Sequence, residues 1–296
     1  VQVINSIEAL RAVRAELQGS VGVVPTMGAL HAGHLSLVQA ARTENDHVIV
    51  TIFINPLQFA PGEDFERYPR DLVGDLRLLE ESGADVIFTP TPALMYPQGF
   101  QTAVNVEGVV TQGLESAIRA GHFQGVTTVV AKLFNLTQPT RAYFGQKDAQ
   151  QVVVLRRMVH DLNFPLSIIV CPIMREADGL ALSSRNVYLD AAQRQQALVL
   201  SQGLKAAADL YAAGEREPEA LRQAVQAQVD SAPLGVVDYI AINDPGTLEP
   251  VTRPTDAPLL VSLAVRFGAT RLLDNALLPA HLNHQDGLTE VLGAVR

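Results

Sequence analysis

A single cysteine, Cys171, in 296 residues leaves the chain no intramolecular disulfide, as expected in a reducing cytoplasm. No run of 18 apolar residues occurs, and no basic segment followed by an apolar core opens the sequence. Neither a membrane span nor an export signal is therefore expected. An excess of basic charge is missing as well. The formal net charge is −9, which argues against nucleic acid or an anionic membrane as the main partner. An anionic substrate would have to be drawn by a local cationic pocket. There is no charge-rich low-complexity block and no visible internal repeat. What the chain has in quantity is apolar: 48% of residues are hydrophobic, enough for a sizeable core in two domains or one large α/β domain.

The glycine patterns of the P-loop and of G-x-G-x-x-G are absent too. In their place stands Val23–His34. Val21 to Val24 predicts a buried strand that Pro25 should end. Gly28 and Gly33 allow a sharp turn, and Leu35, Leu37, Val38, Ala40 and Ala41 predict a helix after His34. A strand, a glycine turn and a helix start can present backbone N–H groups and a positive dipole to a phosphate. Such joins occur in every α/β protein, so His31 and His34 carry the signal. Two histidines three apart could be zinc ligands, but zinc needs three or four, and Cys171 and the other five histidines show no ligand spacing. The other reading is the His-x-Gly-His turn of nucleotidyltransferases, whose imidazoles hold nucleotide phosphates.

Along the chain, Ser6 to Gln18 predicts an amphipathic helix capped by Ser6. Val48 to Ile54 predicts a strand buried on both faces, ending at Asn55-Pro56-Leu57-Gln58-Phe59. Ligands of open α/β sheets bind beyond the carboxyl ends of strands, which draws attention to Asn55 and Gln58. Residues 60 to 71 form a polar loop, Leu72 to Ser82 a helix and Asp85 to Phe88 a strand. Thr89 to Gly99 holds three prolines and should be irregular, Thr102 to Val106 alternates as a short strand, and Val109 to Leu114 suits a helical turn or two. Glu115 to Gly125, with Arg119 and His122, looks mobile, and Val126 to Leu136 is an apolar helix with Lys132 its one charge. Ala142 to Phe144 predicts a strand stopping at Gly145-Gln146-Lys147-Asp148, then a helix to Leu162 and a strand from Leu166 to Val170.

Alternation of strand and helix implies a doubly wound parallel sheet, Rossmann-like, in an N-terminal domain of residues 1–176. Residues 177–296 read as a smaller α+β domain. It has Ala- and Gln-rich helix from Ala191 to Val229, broken near Gly214, and strands at Val236 to Ile242 and Leu259 to Val265. The stretch from Leu278 looks weakly structured until Leu288 to Val295.

Four blocks then stand in order: Pro25-Thr26-Met27-Gly28-Ala29-Leu30-His31 with Gly33-His34; Asn55-Pro56 with Gln58-Phe59; Gly145 with Lys147-Asp148 and Gln151; and Leu182-Ser183-Ser184-Arg185-Asn186. Together with Tyr68-Pro69-Arg70, Arg119 and Leu272-Leu273-Asp274-Asn275, they resemble the pantoate–β-alanine ligase family over essentially the whole chain. The resemblance implies that ATP and (R)-pantoate give pantoyl adenylate and pyrophosphate, and that β-alanine then gives pantothenate and AMP. It implies an ATP site of Met27, Gly28, Ala29, Leu30, His31, Ala32, Gly33 and His34, with Gly145, Gln146, Lys147 and Asp148, Met174 by the adenine, and Leu182, Ser183, Ser184 and Arg185 closing over the phosphates. His34, His31, Lys147 and Arg185 would be the catalytic residues, and Gln58, Gln151 and Asn55 would hold pantoate and then β-alanine. Mg²⁺ would be bound through ATP phosphates with no protein ligand assigned; a cytoplasmic homodimer is expected. Ala120 and Gln124 stand where the family often has Pro and Arg, and Gly74 where some members have an acidic residue beside Asp75. Another His-x-Gly-His adenylyl- or cytidylyltransferase would share the turn and the Ser-Ser-Arg segment but gives no reason for Gln58 and Gln151. A non-catalytic nucleotide-binding protein gives none for retaining His31, His34, Lys147 and Arg185.

Overall fold

The structure, a computed structural model, describes residues 1–292. The chain divides into two compact units, residues 1–144 with 154–171, and residues 145–153 with 172 onward.

The first unit is a six-stranded sheet with helices on its faces. Its elements are β1 (Gln2–Ile4), α1 (Ile7–Glu16), β2 (Val21–Thr26), α2 (Ala32–Glu44), β3 (His47–Ile52), α3 (Leu72–Glu81), β4 (Val86–Phe88), α4 (Pro92–Met95), α5 (Glu115–Ile118), α6 (His122–Thr137), β5 (Arg141–Gly145), α7 (Ala149–Asp161) and β6 (Ser167–Cys171). The strand order is β1-β4-β3-β2-β5-β6. β2 runs parallel to both β3 and β5, with Val23 level with Ile49 on one side and Ala142 on the other. The order of strands reverses between β2 and β5, the kind of switch point where such sheets bind ligands. β2 and β3 are β-branched and apolar because both their faces are covered. Val24, Val48, Val50 and Ile87 pack with Leu37, Val38 and Ala41 of α2 and Leu79 of α3. Val23 and Ile49 alternate to the opposite face and are equally buried. α6 lies against β2 and α1.

The second unit comprises α8 (Ala191–Gln196), α9 (Val199–Ala212), α10 (Pro218–Asp230), β7 (Gly235–Asn243), β8 (Leu259–Phe267), β9 (Thr270–Leu278) and α11 (Gln285–Val291). β7, β8 and β9 form an antiparallel sheet, whose Val261, Leu263 and Val265 pack with Leu200 and Leu204 of α9 and Leu221 and Val225 of α10. The α/β sheet and the smaller α+β unit match the expected fold class.

Several local expectations are corrected. β2 continues through Pro25 to Thr26. The Phe53 N–H donates to the Thr26 carbonyl, so Thr26 faces β3 and the nitrogen of Pro25 faces the other way. On that side the pairing with β5 covers only Gly22 and Val23, so no ladder bond is lost. α2 begins at Ala32, which puts Gly33 and His34 inside its first turn. Residues 102–106 form no strand: Thr127 Oγ1 donates to the Val104 carbonyl, and the Val104 N–H to Thr128 Oγ1. Those α6 hydroxyls do the work of a neighbouring strand. Thr91 caps the short helix α4 within the proline-rich stretch. α6 starts at His122, not Val126, and the segment before it is tied down by Arg119. β1 is too short to show a period, and in β9 Asp274 and Asn275 interrupt the apolar pattern. His284 caps α11; the expected element at 288–295 runs beyond the described residues.

Candidate active site

β2 ends at Thr26 and the chain turns at once. Gly28 (φ 79°) and Ala29 (φ 51°) both take the left-handed conformation. For Ala29, which has a Cβ, this is a strained state that needs support. Asp75 on α3 supplies it. The Ala29 N–H donates to one carboxylate oxygen at 2.9 Å and the Leu30 N–H to the other at 2.8 Å. Asp75 is 3% exposed. Burial pushes its carboxyl above the usual value, more than the two N–H donors pull it down. A Cβ at residue 28 would lie 2.9 Å from that carboxylate, so only glycine fits the approach.

The turn delivers two imidazoles to the start of α2. The Gly33 N–H donates to His31 Nδ1 at 3.2 Å, and the His31 N–H to His34 Nδ1 at 3.4 Å. The rings lie 4.1 Å apart between centroids. A ring nitrogen that accepts an N–H carries no proton, so each imidazole holds its proton on Nε2. The donor each ring can offer is Nε2–H. The N–H groups of residues 29, 30, 31 and 33 are already engaged within the protein, so imidazole rather than backbone dominates what this turn brings to a phosphate.

β3 ends close by, in the 3-10 turn Pro56–Gln58. Asn55 is 1% exposed and both its side-chain polar atoms are used. Its Oδ1 accepts from Tyr96 Oη at 2.7 Å and from the Leu57 N–H at 3.3 Å. Its Nδ2 donates to the Gly125 carbonyl at 3.1 Å and to Gln58 Oε1 at 3.0 Å. These partners admit one orientation of the Asn55 amide, and through it one orientation of Gln58. Gln58 Nε2 then meets Met27 Sδ at 3.2 Å, a weak acceptor that a hydroxyl or carboxylate oxygen would displace. Met27, His31, His34 and Gln58 thus share one neighbourhood of the first unit, with Asn55 behind Gln58.

In the second unit β5 leads into Gly145 and the 3-10 turn Gln146–Asp148, with Gln151 in the first turn of α7. Asn275 Nδ2 donates to the carbonyls of Gln146 and Lys147 at 3.0 and 2.9 Å. Asn283 accepts from the Gln146 amide at 2.8 Å. Ser183 caps the 3-10 turn Ser184–Tyr188 by accepting from the Arg185 N–H at 3.3 Å. Lys147, Ser183, Arg185, Asn186 and Asp274 line one cleft. Asp274, buried, is matched by a bidentate pair with Arg175 at 2.6 and 2.9 Å. Met174 is partly exposed, and its carbonyl accepts from the Leu182 N–H. Two cations and a hydroxyl in a cleft suit phosphate oxygens.

Among the described residues no group of three or more His, Cys, Asp or Glu side chains could hold a metal. Burial pushes the Cys171 thiol up to about 12, which removes it as a nucleophile. The supporting residues Tyr96 and Asn283 carry no signal in the sequence, because each meets its partner across a long separation.

Residues 2–277 match the family model described as pantoate-beta-alanine ligase. The chain belongs to that family. It is 58% identical over 279 residues to a pantothenate synthetase of Roseiflexus castenholzii, covering 94% of this chain and all of that one. Among solved structures, pantothenate synthetase from Thermus thermophilus superposes with a TM-score of 0.89 at 49% identity, covering 93% of this chain and 98% of that one. Pantoate-beta-alanine ligase from Francisella tularensis, solved in complex with β,γ-ATP and β-alanine, gives a TM-score of 0.77 at 33% identity over 94% of this chain and 97% of its own.

Proposed function

We propose that the chain is an AMP-forming ligase that condenses (R)-pantoate with β-alanine, using ATP. Family membership supports the reaction, and one observation supports its chemistry. Both motif histidines have Nδ1 occupied by backbone N–H groups, so both bring Nε2–H to a phosphate. In the first step a pantoate carboxylate oxygen bonds to the α-phosphorus of ATP as the bond to pyrophosphate breaks. Two anions must be held together while charge grows on the leaving group, a task for positioning and electrostatic stabilisation. His34, with His31 beside it, donates to that charge; Lys147 and Arg185 supply fixed positive charge, and Ser183 and Ser184 hydroxyl donors. Gly145 and Asp148 lie by the ribose and Met174 by the adenine.

Gln58 and Gln151 grip the pantoate oxygens; neutral amides can donate and accept there without adding charge. In the second step the β-alanine amine attacks the acyl carbon of pantoyl adenylate. The C–N bond forms, the C–O bond to AMP breaks and the amine loses a proton. Mg²⁺ would arrive on the ATP phosphates: both Asp75 oxygens are taken by backbone N–H groups, and no step is assigned to a protein-held metal. A homodimer and a cytoplasmic location complete the reading; light scattering on the purified chain tests the first. Among the described residues no helix is long and apolar enough to cross a membrane.

ATP–pyrophosphate exchange tests the reaction. Exchange should require pantoate, AMP should be released only when β-alanine is added, and CTP with a phosphorylated alcohol should give nothing. Exchange without pantoate would refute the reading.

A further inference from the structure

The side chain of Gln58 is oriented by Asn55, but its backbone needs holding too, because the 3-10 turn that carries it offers no ladder partner. Two residues around the start of α6, Arg119 and His122, meet there. His122 Nδ1 lies 2.8 Å from the Gln58 carbonyl oxygen, and Arg119 Nη2 lies 3.4 Å from the same oxygen. Arg119 Nη1 lies 3.1 Å from His122 Nε2. Arg119 also forms a bidentate pair with Glu63, at 2.7 and 2.8 Å.

The tautomer follows from these partners. A carbonyl only accepts, so Nδ1 donates; a guanidinium only donates, so Nε2 accepts. His122 is therefore the Nδ1–H imidazole, fixed at both ends. Burial and the neighbouring Arg119 charge push its pKa down to about 4, in keeping with that form. Glu63 lies in the loop after Gln58, and its pair with Arg119 holds the guanidinium against the ring. Burial alone would raise the Glu63 carboxyl, but Arg119 holds it below the usual range.

We propose that His122, set by the Arg119–Glu63 pair, is a positioning residue for Gln58 and so for pantoate. The chain from carboxylate to guanidinium to imidazole to carbonyl ends on the backbone of the residue that grips the substrate. Its loss should weaken pantoate binding and leave ATP binding alone. The inference rests on the proposed function, since it takes Gln58 to be the pantoate residue.

The test is a pair of KM values, for pantoate and for ATP, from the exchange reaction with purified full-length protein. The amide of His122→Asn can donate from nearly the same place as Nδ1, whereas His122→Phe keeps the bulk and donates nothing. In His122→Phe the KM for pantoate should rise about 10- to 100-fold, the scale of a misplaced binding group. The KM for ATP should change less than about threefold, and His122→Asn should recover most of the pantoate KM. A pantoate KM unchanged in folded His122→Phe, an equal rise in both KM values, or no recovery in His122→Asn overturns the proposal. If His122→Phe does not fold, Glu63→Ala decides. A selective rise in pantoate KM supports the chain of contacts, and no rise overturns it. Absence of pantoate-dependent exchange in the unmodified protein refutes the proposed function and this inference together. Exchange with indifferent variants refutes this inference alone.

Discussion

His122 should make the protein acid-sensitive in a defined window. Burial, then the Arg119 charge, drives its pKa down to about 4, outweighing the Gln58 carbonyl and the carboxylates of Glu115 and Glu63. In the unfolded chain the ring titrates near 6.5. Between those values the unfolded state binds the proton and the folded state does not, so stability rises with pH. The contribution is fully present above about pH 6.5 and is lost as pH falls toward 4. Two such pKa values remove about 2 kcal/mol between pH 7 and pH 5. With a urea slope of about 3 kcal/mol per molar, the midpoint should fall by about 0.6 M from this residue alone. Other ionisable groups add their own effects, so the measurement is a difference. Urea midpoints are taken at pH 7 and pH 5 for the protein and for His122→Asn, which cannot titrate. The variant should lose less stability on acidification by that amount. Equal losses would mean that His122 is protonated in the folded state, and the tautomer assigned from its two partners would be wrong.

Three other outcomes follow from the site. His34→Ala should lower exchange turnover by about 10²- to 10³-fold, the loss usual for one transition-state charge partner, with a smaller change in ATP affinity. Near-normal turnover would reduce His34 to a helix cap. Asp75→Asn should raise the KM for ATP about tenfold by letting the Gly28–Leu30 turn shift. Its melting temperature should fall as well, because the amide sets a donor against one of the two N–H groups and leaves it unpaired; an unchanged ATP KM would show that the turn holds itself. In Gly125→Ala the new Cβ would collide with the Leu57 carbonyl. Overpacking there should cost about 1–3 kcal/mol in urea unfolding and raise the pantoate KM, and a variant matching the original in both would refute the close fit of α6 on the Gln58 turn.

What the sequence made legible was the fold class and the four motif blocks. Val48 to Ile54 announces a doubly covered strand because parallel strands bury both faces, and the His-x-Gly-His turn follows β2 as read. The departures from local pattern share a cause. Pro25 signals a strand end, yet a strand tolerates proline where its nitrogen faces no partner, and that depends on how far the neighbouring strand runs. The segment 102–106 alternates like a strand but is bonded by Thr127 and Thr128 of a helix. Glu115 to Gly125 has a loop's composition, yet Arg119 anchors it to Glu63 across 56 residues. Each outcome was decided by a partner distant in sequence, which neither periodicity nor composition encodes.

The same reasoning separates two kinds of functional residue. His31 and His34, Gln58, and Lys147 sit in motifs because the spacing within each motif is local: each block is presented by a turn of its own. The groups that hold those turns come from elsewhere. Asp75 binds the N–H groups of Ala29 and Leu30, His122 the carbonyl of Gln58, and Asn275 the carbonyls of Gln146 and Lys147. In all three cases a buried polar side chain meets backbone groups that no helix or strand satisfies. A chain that leaves regular structure to bring groups to a ligand gives up its ladder bonds, and buried backbone atoms cannot stay unpaired. Side chains from other elements must complete them. At these positions the support is as specific as the contact it serves, because an amide, a carboxylate and an imidazole are each matched to donors or acceptors of one kind. The motif therefore marks where substrate is held, and the backbone bonds of the motif mark which distant residues hold it in place.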